Sequence, residues 1–319
     1  MPLGREGPVV QLGAAVAHGL RQRFPRLLAK LSTESLMAIG AGTGLAGGFN
    51  SPLMGAVFVV EELTGRFQTA VLWPAVVVCS AAALVSNLAG TPLFTLGMVQ
   101  STQPEWQQLL WALPVGVGGG LLGGLFSRIL WRSSALLSQR MRQRPIAWGL
   151  GLGLALGLIA VASGGWSGGD GEALMAQLLE GRGSLPVPGS PLSVIGWLLL
   201  VATRLVAPIL ALAAGIPGGL IDPAFAIGAI FGSGSLELFG GSSELGLALG
   251  MAAALAGATQ LPLMTVLFAL RMAGDQQWLF GILLSAVVGA YVGRQIQPEP
   301  IYHALWNLGR SGDQRAPRR

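Results

Sequence analysis

Apolar residues run along this chain in long blocks, and the polar residues gather between them. Residues 67–104, 106–127, 145–169, 245–270 and 276–293 contain no Asp, Glu, Lys or Arg. As helices, such blocks are long enough to cross about 30 Å of hydrocarbon. Glycine recurs inside them at the spacing that lets helix backbones approach closely, at Gly119/Gly123, Gly120/Gly124 and the ladder Gly149, Gly153 and Gly157. The pattern predicts an all-α, polytopic membrane helical bundle.

Composition agrees. Of the 319 residues 52% are hydrophobic and 10% charged, an imbalance that one soluble core of this length cannot hide. The net charge of +5 could suit nucleic acid, but the cations sit in short connecting stretches, 21–30, 128–144 and 310–319. The positive-inside rule accounts for them, so no nucleic-acid partner is expected. The rule puts a 132–144 loop and the C-terminal tail in the cytoplasm and leaves 21–30 open. The single cysteine, Cys79, excludes a disulfide framework and a thiolate metal site. The first residues show no basic segment, short apolar core and small-residue cleavage site of a secretory leader.

The chain repeats itself. Leu45-Ala46-Gly47, Pro52-Leu53-Met54 and Phe58 recur 210 positions later as Leu255-Ala256-Gly257, Pro262-Leu263-Met264 and Phe268. A second pair keeps an offset of 215: Gly4-x-x-x-Pro8 followed by Leu12-Gly13-Ala14, and Gly219-x-x-x-Pro223 followed by Ile227-Gly228-Ala229. Two related halves in a polytopic membrane protein point to transport, with an inverted arrangement and a site where broken helices meet near the midplane. The domain division expected is 1–103 for the first repeat, 104–298 for the second, and 299–319 for a final helix and basic tail. The second copy is preceded by residues 105–218 and the first by only three, so a comparable stretch is expected upstream of Met1.

The paired Gly-x-x-x-Pro elements read as helix starts. A helix beginning inside the membrane leaves its first N–H groups unpaired, and these carry the positive end of the helix dipole. Glycine before the start lets bare backbone approach a ligand, and proline in the first turn removes an N–H that has no partner anyway. Two such starts, brought together from opposite halves, would cradle a small anion without a lysine to trap it. The alternative is that both are simple breaks between helices.

These residues resemble the CLC family of chloride channels and proton-coupled chloride transporters. Gly4-Arg5-Glu6-Gly7-Pro8 resembles its gating-glutamate motif, and Gly219-Leu220-Ile221-Asp222-Pro223 its second anion-binding motif. Phe49-Asn50-Ser51-Pro52-Leu53 through Val60-Glu61-Glu62-Leu63 resembles the helix pair after the gate, and Ile301-Tyr302-His303-Ala304 the final helix with its anion-contacting tyrosine. The resemblance runs from Gly4 to about Leu308. It implies an anion-binding set of Gly4, Arg5, Glu6, Gly7, Gly219, Leu220, Ile221, Asp222 and Tyr302. Glu6 would be gate and proton carrier, and Glu62 the internal proton-transfer residue. It further implies a homodimer meeting through helices near 52–90 and 262–294, chloride and protons as the transported species, and no cofactor. The location implied is a multi-pass position in a prokaryotic cell membrane.

The departures are specific. The family's Gly-Ser-Gly-Ile-Pro motif has no counterpart. Ile221 stands where phenylalanine is usual, and Asp222 puts an acid beside a chloride site, where it should repel the ion unless turned away or neutralised. Where the second copy would match Glu61 it carries Arg271.

Bland readings stand beside the sharp ones. Glu6 could be an ordinary helix-start acid, worth about 0.3–1 kcal/mol through the dipole. Arg5 is expected to pair with a carboxylate or brace its turn. Glu61 and Glu62 are roughly 100° apart on a helix, so only one should face the interior; Glu61 reads as structural, and both could reach the interface from a helix end. Tyr302 could be an interfacial anchor. His18 and His303 have no metal-site spacing and read as structural. Chloride/proton exchange is the first functional reading, with an uncoupled anion channel and a non-transporting membrane fragment as alternatives. No nucleophile–base pair, metal triad or Gly-Lys-Ser phosphate loop points to an enzyme.

Overall fold

A computed structural model of the chain describes residues 1–90, 106–180, 191–273 and 276–314. Its helices are α1 (Glu6–Arg23), α2 (Thr33–Phe49), α3 (Pro52–Phe58), continued by a π-helical turn Val59–Leu63, and α4 (Thr69–Leu88). There follow α5 (Trp106–Leu109), α6 (Ala112–Gln143), α7 (Pro145–Ala162), α8 (Glu172–Glu180), α9 (Pro191–Ala213), α10 (Ile221–Leu238) and α11 (Ser243–Thr259). The last are α12 (Pro262–Ala273), a 3-10 turn Gln276–Trp278, α13 (Leu279–Ile296) and α14 (Ile301–Gln314). Among the described residues five helical segments are long and apolar enough to cross a membrane: Thr69–Leu88, Ala112–Gln143, Pro145–Ala162, Val194–Ala213 and Gln276–Gly309.

The repeat is visible in the backbone. Helices α2 and α11 have 17 residues each and begin 210 positions apart. Each is capped by a serine, Ser32 accepting from the Ser35 N–H and Ser242 from the Leu245 N–H, which satisfies one of the orphan donors of the first turn. Each ends on a left-handed residue, Asn50 (φ 50°) and Gln260 (φ 62°), again 210 apart. That turn is followed within two residues by proline at the start of the next helix, Pro52 or Pro262. Helices α1 and α10 match with 18 residues each.

The core is layered by small residues. A Cβ on Gly120 would lie 2.7 Å from the Gly289 oxygen, one on Gly124 2.9 Å from Gly293 Cα, and one on Gly257 2.8 Å from Gly120 Cα. These contacts weld α6, α11 and α13 backbone to backbone, as small-residue packing in lipid requires. Residues Leu245 to Thr259 of α11 are all buried. Behind the two helix starts, Phe225, Phe268 and Phe49 stack edge to face with centroids 4.5 and 4.6 Å apart, close to the preferred geometry of aromatic pairs.

Several expectations are corrected. The 245–270 block is two helices, because Gln260 adopts the left-handed conformation and Pro262 opens a new helix. The basic 132–144 stretch is no loop: α6 stays helical to Gln143, and its cations ride on the last turns. Among the described residues the Gly149, Gly153 and Gly157 ladder packs against nothing within 4 Å, and α7 has no buried residue. Small residues permit close approach but do not create a neighbour to approach. The faces expected at a dimer interface carry exposed apolar side chains, among them Leu53, Trp73, Leu263 and Val287. The division expected at 103/104 lies outside the described residues, as do 91–104 of the first apolar block and 315–319 of the basic tail; the division at 298/299 falls between α13 and α14.

Candidate functional site

The two Gly-x-x-x-Pro elements meet. Gly4 N–H donates to the Gly219 oxygen at 3.1 Å and Gly219 N–H to the Gly4 oxygen at 2.8 Å, an antiparallel bridge that stitches the start of α1 to the start of α10. Glycine is required for this approach: a Cβ on Gly7 would lie 2.7 Å from the Gly218 oxygen, and one on Gly218 2.8 Å from Leu3 Cβ. Pro8 and Pro223 each occupy the third residue of their helix, where a missing N–H costs nothing.

Glu6, the first residue of α1, turns its carboxylate across the gap into the start of α10. There Oε1 accepts the Ile221 N–H, and the residue is 3% exposed. A Cβ on Gly4 would stand 2.7 Å from both Glu6 Cδ and Oε1, and a Cβ on Gly219 would overlap the carboxyl group. The carboxylate thus fills a hollow that only glycines leave open, at a backbone N-terminus suited to any small anion.

Arg5 turns elsewhere. Its guanidinium pairs with Glu172 at the start of α8 and lies 5.2 Å from the centroid of the Phe49 ring. The sequence expectation that it pairs with a carboxylate agrees with this geometry. Leu220 and Ile221 are buried, and Leu220 accepts the Ala224 N–H with its carbonyl at 3.1 Å. Asp222 is fully buried, 0% exposed, and neither carboxyl oxygen has a hydrogen-bond partner among the described residues.

One cavity of about 360 Å³ connects the distant parts of the chain. It is lined by Glu6, Gly219, Leu220 and Ile221 at the helix starts, by Phe58 and Glu62 from α3 and its π-helical extension, and by Tyr302 and Leu305 from α14. Glu62 and Tyr302, separated by 240 positions, therefore open onto the same space as Glu6. The Tyr302 ring stands edge-on to Phe58 with centroids 6.3 Å apart.

The adjacent acids diverge onto different partners. Glu61 accepts from the Leu263 N–H at 3.1 Å and the Met264 N–H at 2.8 Å, so it caps the start of α12. Glu62 faces the cavity, its side chain 7% exposed, with His303 Nε2 3.6 Å from Oε1. The neighbouring acids thus take different directions: Glu62 opens onto the cavity, and Glu61, half-buried, holds the start of α12, in keeping with its structural reading. The same contact gives a reason for Arg271 at the matching position. Its Nε donates to the Asn50 carbonyl at 3.3 Å. In one repeat an acid meets N–H donors at a helix start; in the other a base meets the carbonyl closing α2.

Sequence reasoning singled out none of Arg204, Asp170 and Glu172. Arg204 is 2% exposed and donates to the Gly168 and Gly169 carbonyls at 2.8 and 3.0 Å, holding the turn that carries Asp170 and Glu172. The Glu172 N–H in turn donates to Asp170 Oδ1 at 3.1 Å. The signal was present: Arg204 is the one charge in the apolar stretch 191–213, and an intramembrane cation marks a site by default. His303, read as a structural residue, sits against Glu62.

Paired helix starts around a glycine hollow, inside an apolar bundle, define the class: a polytopic membrane protein in which two broken helices meet in the interior. The comparisons carry this further. Residues 1–294 match the family model for the voltage gated chloride channel, and the chain belongs to that family. It is 29% identical over 321 residues to the H(+)/Cl(-) exchange transporter ClcA of Vibrio parahaemolyticus, covering 96% of this chain and 66% of that protein. It is 30% identical over 314 residues to the voltage-gated ClC-type chloride channel ClcB of Salmonella dublin, covering 94% of this chain and 70% of that one. Among solved structures, a slow cyanobacterial Cl-/H+ antiporter shares the fold with a TM-score of 0.80 at 22% identity, over 99% of this chain and 73% of the other. A CLC-type fluoride/proton antiporter matches with a TM-score of 0.77 at 29% identity, over 95% and 72%. The chain spans about two thirds of the length of the curated relatives it matches.

Proposed function

We propose that this protein exchanges chloride for protons across a membrane, with Glu6 as gate and Glu62 as the internal proton-transfer residue. One observation carries the reading: Glu6 occupies the α10 helix start with its own carboxylate, and the cavity beneath it also receives Glu62 and Tyr302. A halide reaching the helix starts competes with that carboxylate for the same N–H groups. Protonation removes the charge that holds Glu6 there, the side chain leaves, and an anion enters. The proton then belongs to Glu6, and Glu62 on the far side of the cavity is its source. Tyr302, on the same wall, supplies an O–H toward the anion. The relatives named as proton-coupled exchangers support this reading.

The Salmonella relative, named as a channel, favours a second reading in which the same path conducts anions without protons. Reconstitution into liposomes with anion and pH electrodes separates the two. Exchange requires proton movement driven by a chloride gradient in the wild type, and Glu62→Gln should abolish it while chloride flux persists. Undiminished proton flux in Glu62→Gln removes Glu62 from the relay, and chloride flux with no proton movement in the wild type establishes the channel.

A further inference from the structure

Asp222, at the start of α10, is a carboxyl that the mechanism above leaves unused, and it is the most awkwardly placed. It is the second residue of α10, immediately after Ile221, whose N–H holds Glu6. It is 0% exposed, and both of its oxygens lack a hydrogen-bond partner among the described residues. The charged groups within its electrostatic reach are Glu6 at the start of α1, Arg5 just before it, Asp170 from the turn held by Arg204, and Glu172 from α8; Tyr302 of α14 lies within that reach too. Three acids thus act on it against one cation, and that cation is paired with Glu172. An ionised carboxylate with two bare oxygens, among like charges and away from water, is strongly disfavoured, and such a group takes up a proton instead. Asp222, Asp170 and Glu172 are not among the residues that line the cavity shared by Glu6 and Glu62.

We propose that Asp222 is a second proton-bearing carboxyl, which takes the proton from Glu6 and passes it toward Glu172. The step is a single proton transfer. The O–H bond of Glu6 breaks as an O–H bond forms on an Asp222 oxygen, and Glu6 is left as the carboxylate that returns to the Ile221 N–H. Glu172, with a side chain 21% exposed, is the outlet to water. Between transfers, one proton on the pair keeps two neighbouring buried carboxyls from being ionised together, as in other carboxyl pairs that share a proton.

The relay rests on the proton-coupled reading above, but the protonation of Asp222 does not, and the test separates them. Infrared spectra of the purified chain in lipid at neutral pH report the C=O stretch of protonated carboxyls without any need for transport. A band present in the wild type, retained in Glu6→Gln and lost in the near-isosteric Asp222→Asn supports the assignment; identical wild-type and Asp222→Asn spectra overturn it. In liposomes, Asp222→Asn should lower proton flux by about a hundredfold, the lower end of what a positioned proton-transfer group contributes, while chloride flux persists. Proton flux unchanged in Asp222→Asn overturns the relay, and so does a loss of both fluxes in equal measure, which would mark a purely structural role. A wild type that moves chloride and no protons removes the exchange reading and the relay with it, and the infrared comparison still decides whether Asp222 carries a proton.

Discussion

Replacing Gly219 by alanine isolates the central contact without touching any carboxyl. The φ angle at 219 is outside the left-handed region, so alanine is conformationally allowed and the effect is steric alone. The new Cβ would fall inside the Glu6 carboxyl group. The backbone behind it is pinned to Gly4 by bonds of 3.1 and 2.8 Å and cannot retreat. Carbon contacts settle at about 3.5–4.0 Å, so the Glu6 carboxyl must move by well over an ångström and give up the Ile221 N–H. A hydrogen bond to a charged group contributes about 1.5–3 kcal/mol, which shifts the balance between seated and displaced gate by about tenfold to a hundredfold. The methyl also invades the hollow, so anion binding weakens with gating. Isothermal titration with chloride and paired anion and proton flux measurements should show both losses in Gly219→Ala. Gly153→Ala is the control: no described residue lies within 4 Å of a Cβ at that position, and only helix propensity changes, by about 0.5–1 kcal/mol in favour of folding. Wild-type chloride affinity and wild-type coupling in Gly219→Ala would refute the placement of Glu6 in the glycine hollow.

Two further predictions concern the supports of the site. Glu61→Gln keeps the shape but leaves one acceptor for the two N–H groups at the start of α12; allowing for its partial exposure, the loss is about 1–2 kcal/mol, read as a lower unfolding temperature in detergent. An unaltered unfolding temperature would show that solvent caps α12 equally well. The Arg5–Glu172 pair is partly exposed, 42% and 21%, so a double-mutant cycle of Arg5→Ala and Glu172→Gln should return a coupling of about 0.2–1 kcal/mol in stability. A coupling near zero would leave the Phe49 ring as the main anchor of the Arg5 turn.

The linear chain carried a large part of this architecture. Hydrophobic block length, the prolines and glycines that interrupt helices, and the offsets of 210 and 215 are properties of one-dimensional order, and they sufficed for the membrane bundle, its duplication and the two helix starts. They sufficed because helix length in lipid and first-turn chemistry are local matters. What order along the chain left open was partnership. The Ile221 N–H and the Glu6 carboxylate are 215 residues apart, Arg5 and Glu172 are 167 apart, and Glu61 and Met264 are 203 apart. No local rule says which buried donor will meet which carboxylate, or that the Gly149 ladder will face no neighbour while Gly120 meets Gly257. Those outcomes follow from the mutual packing of whole helices, because an unpaired charge or N–H in a low-dielectric interior is relieved by whichever group the fold brings beside it. Tertiary structure alone put Glu61 on α12 and Arg271 on the end of α2, and it alone buried Asp222 among other acids.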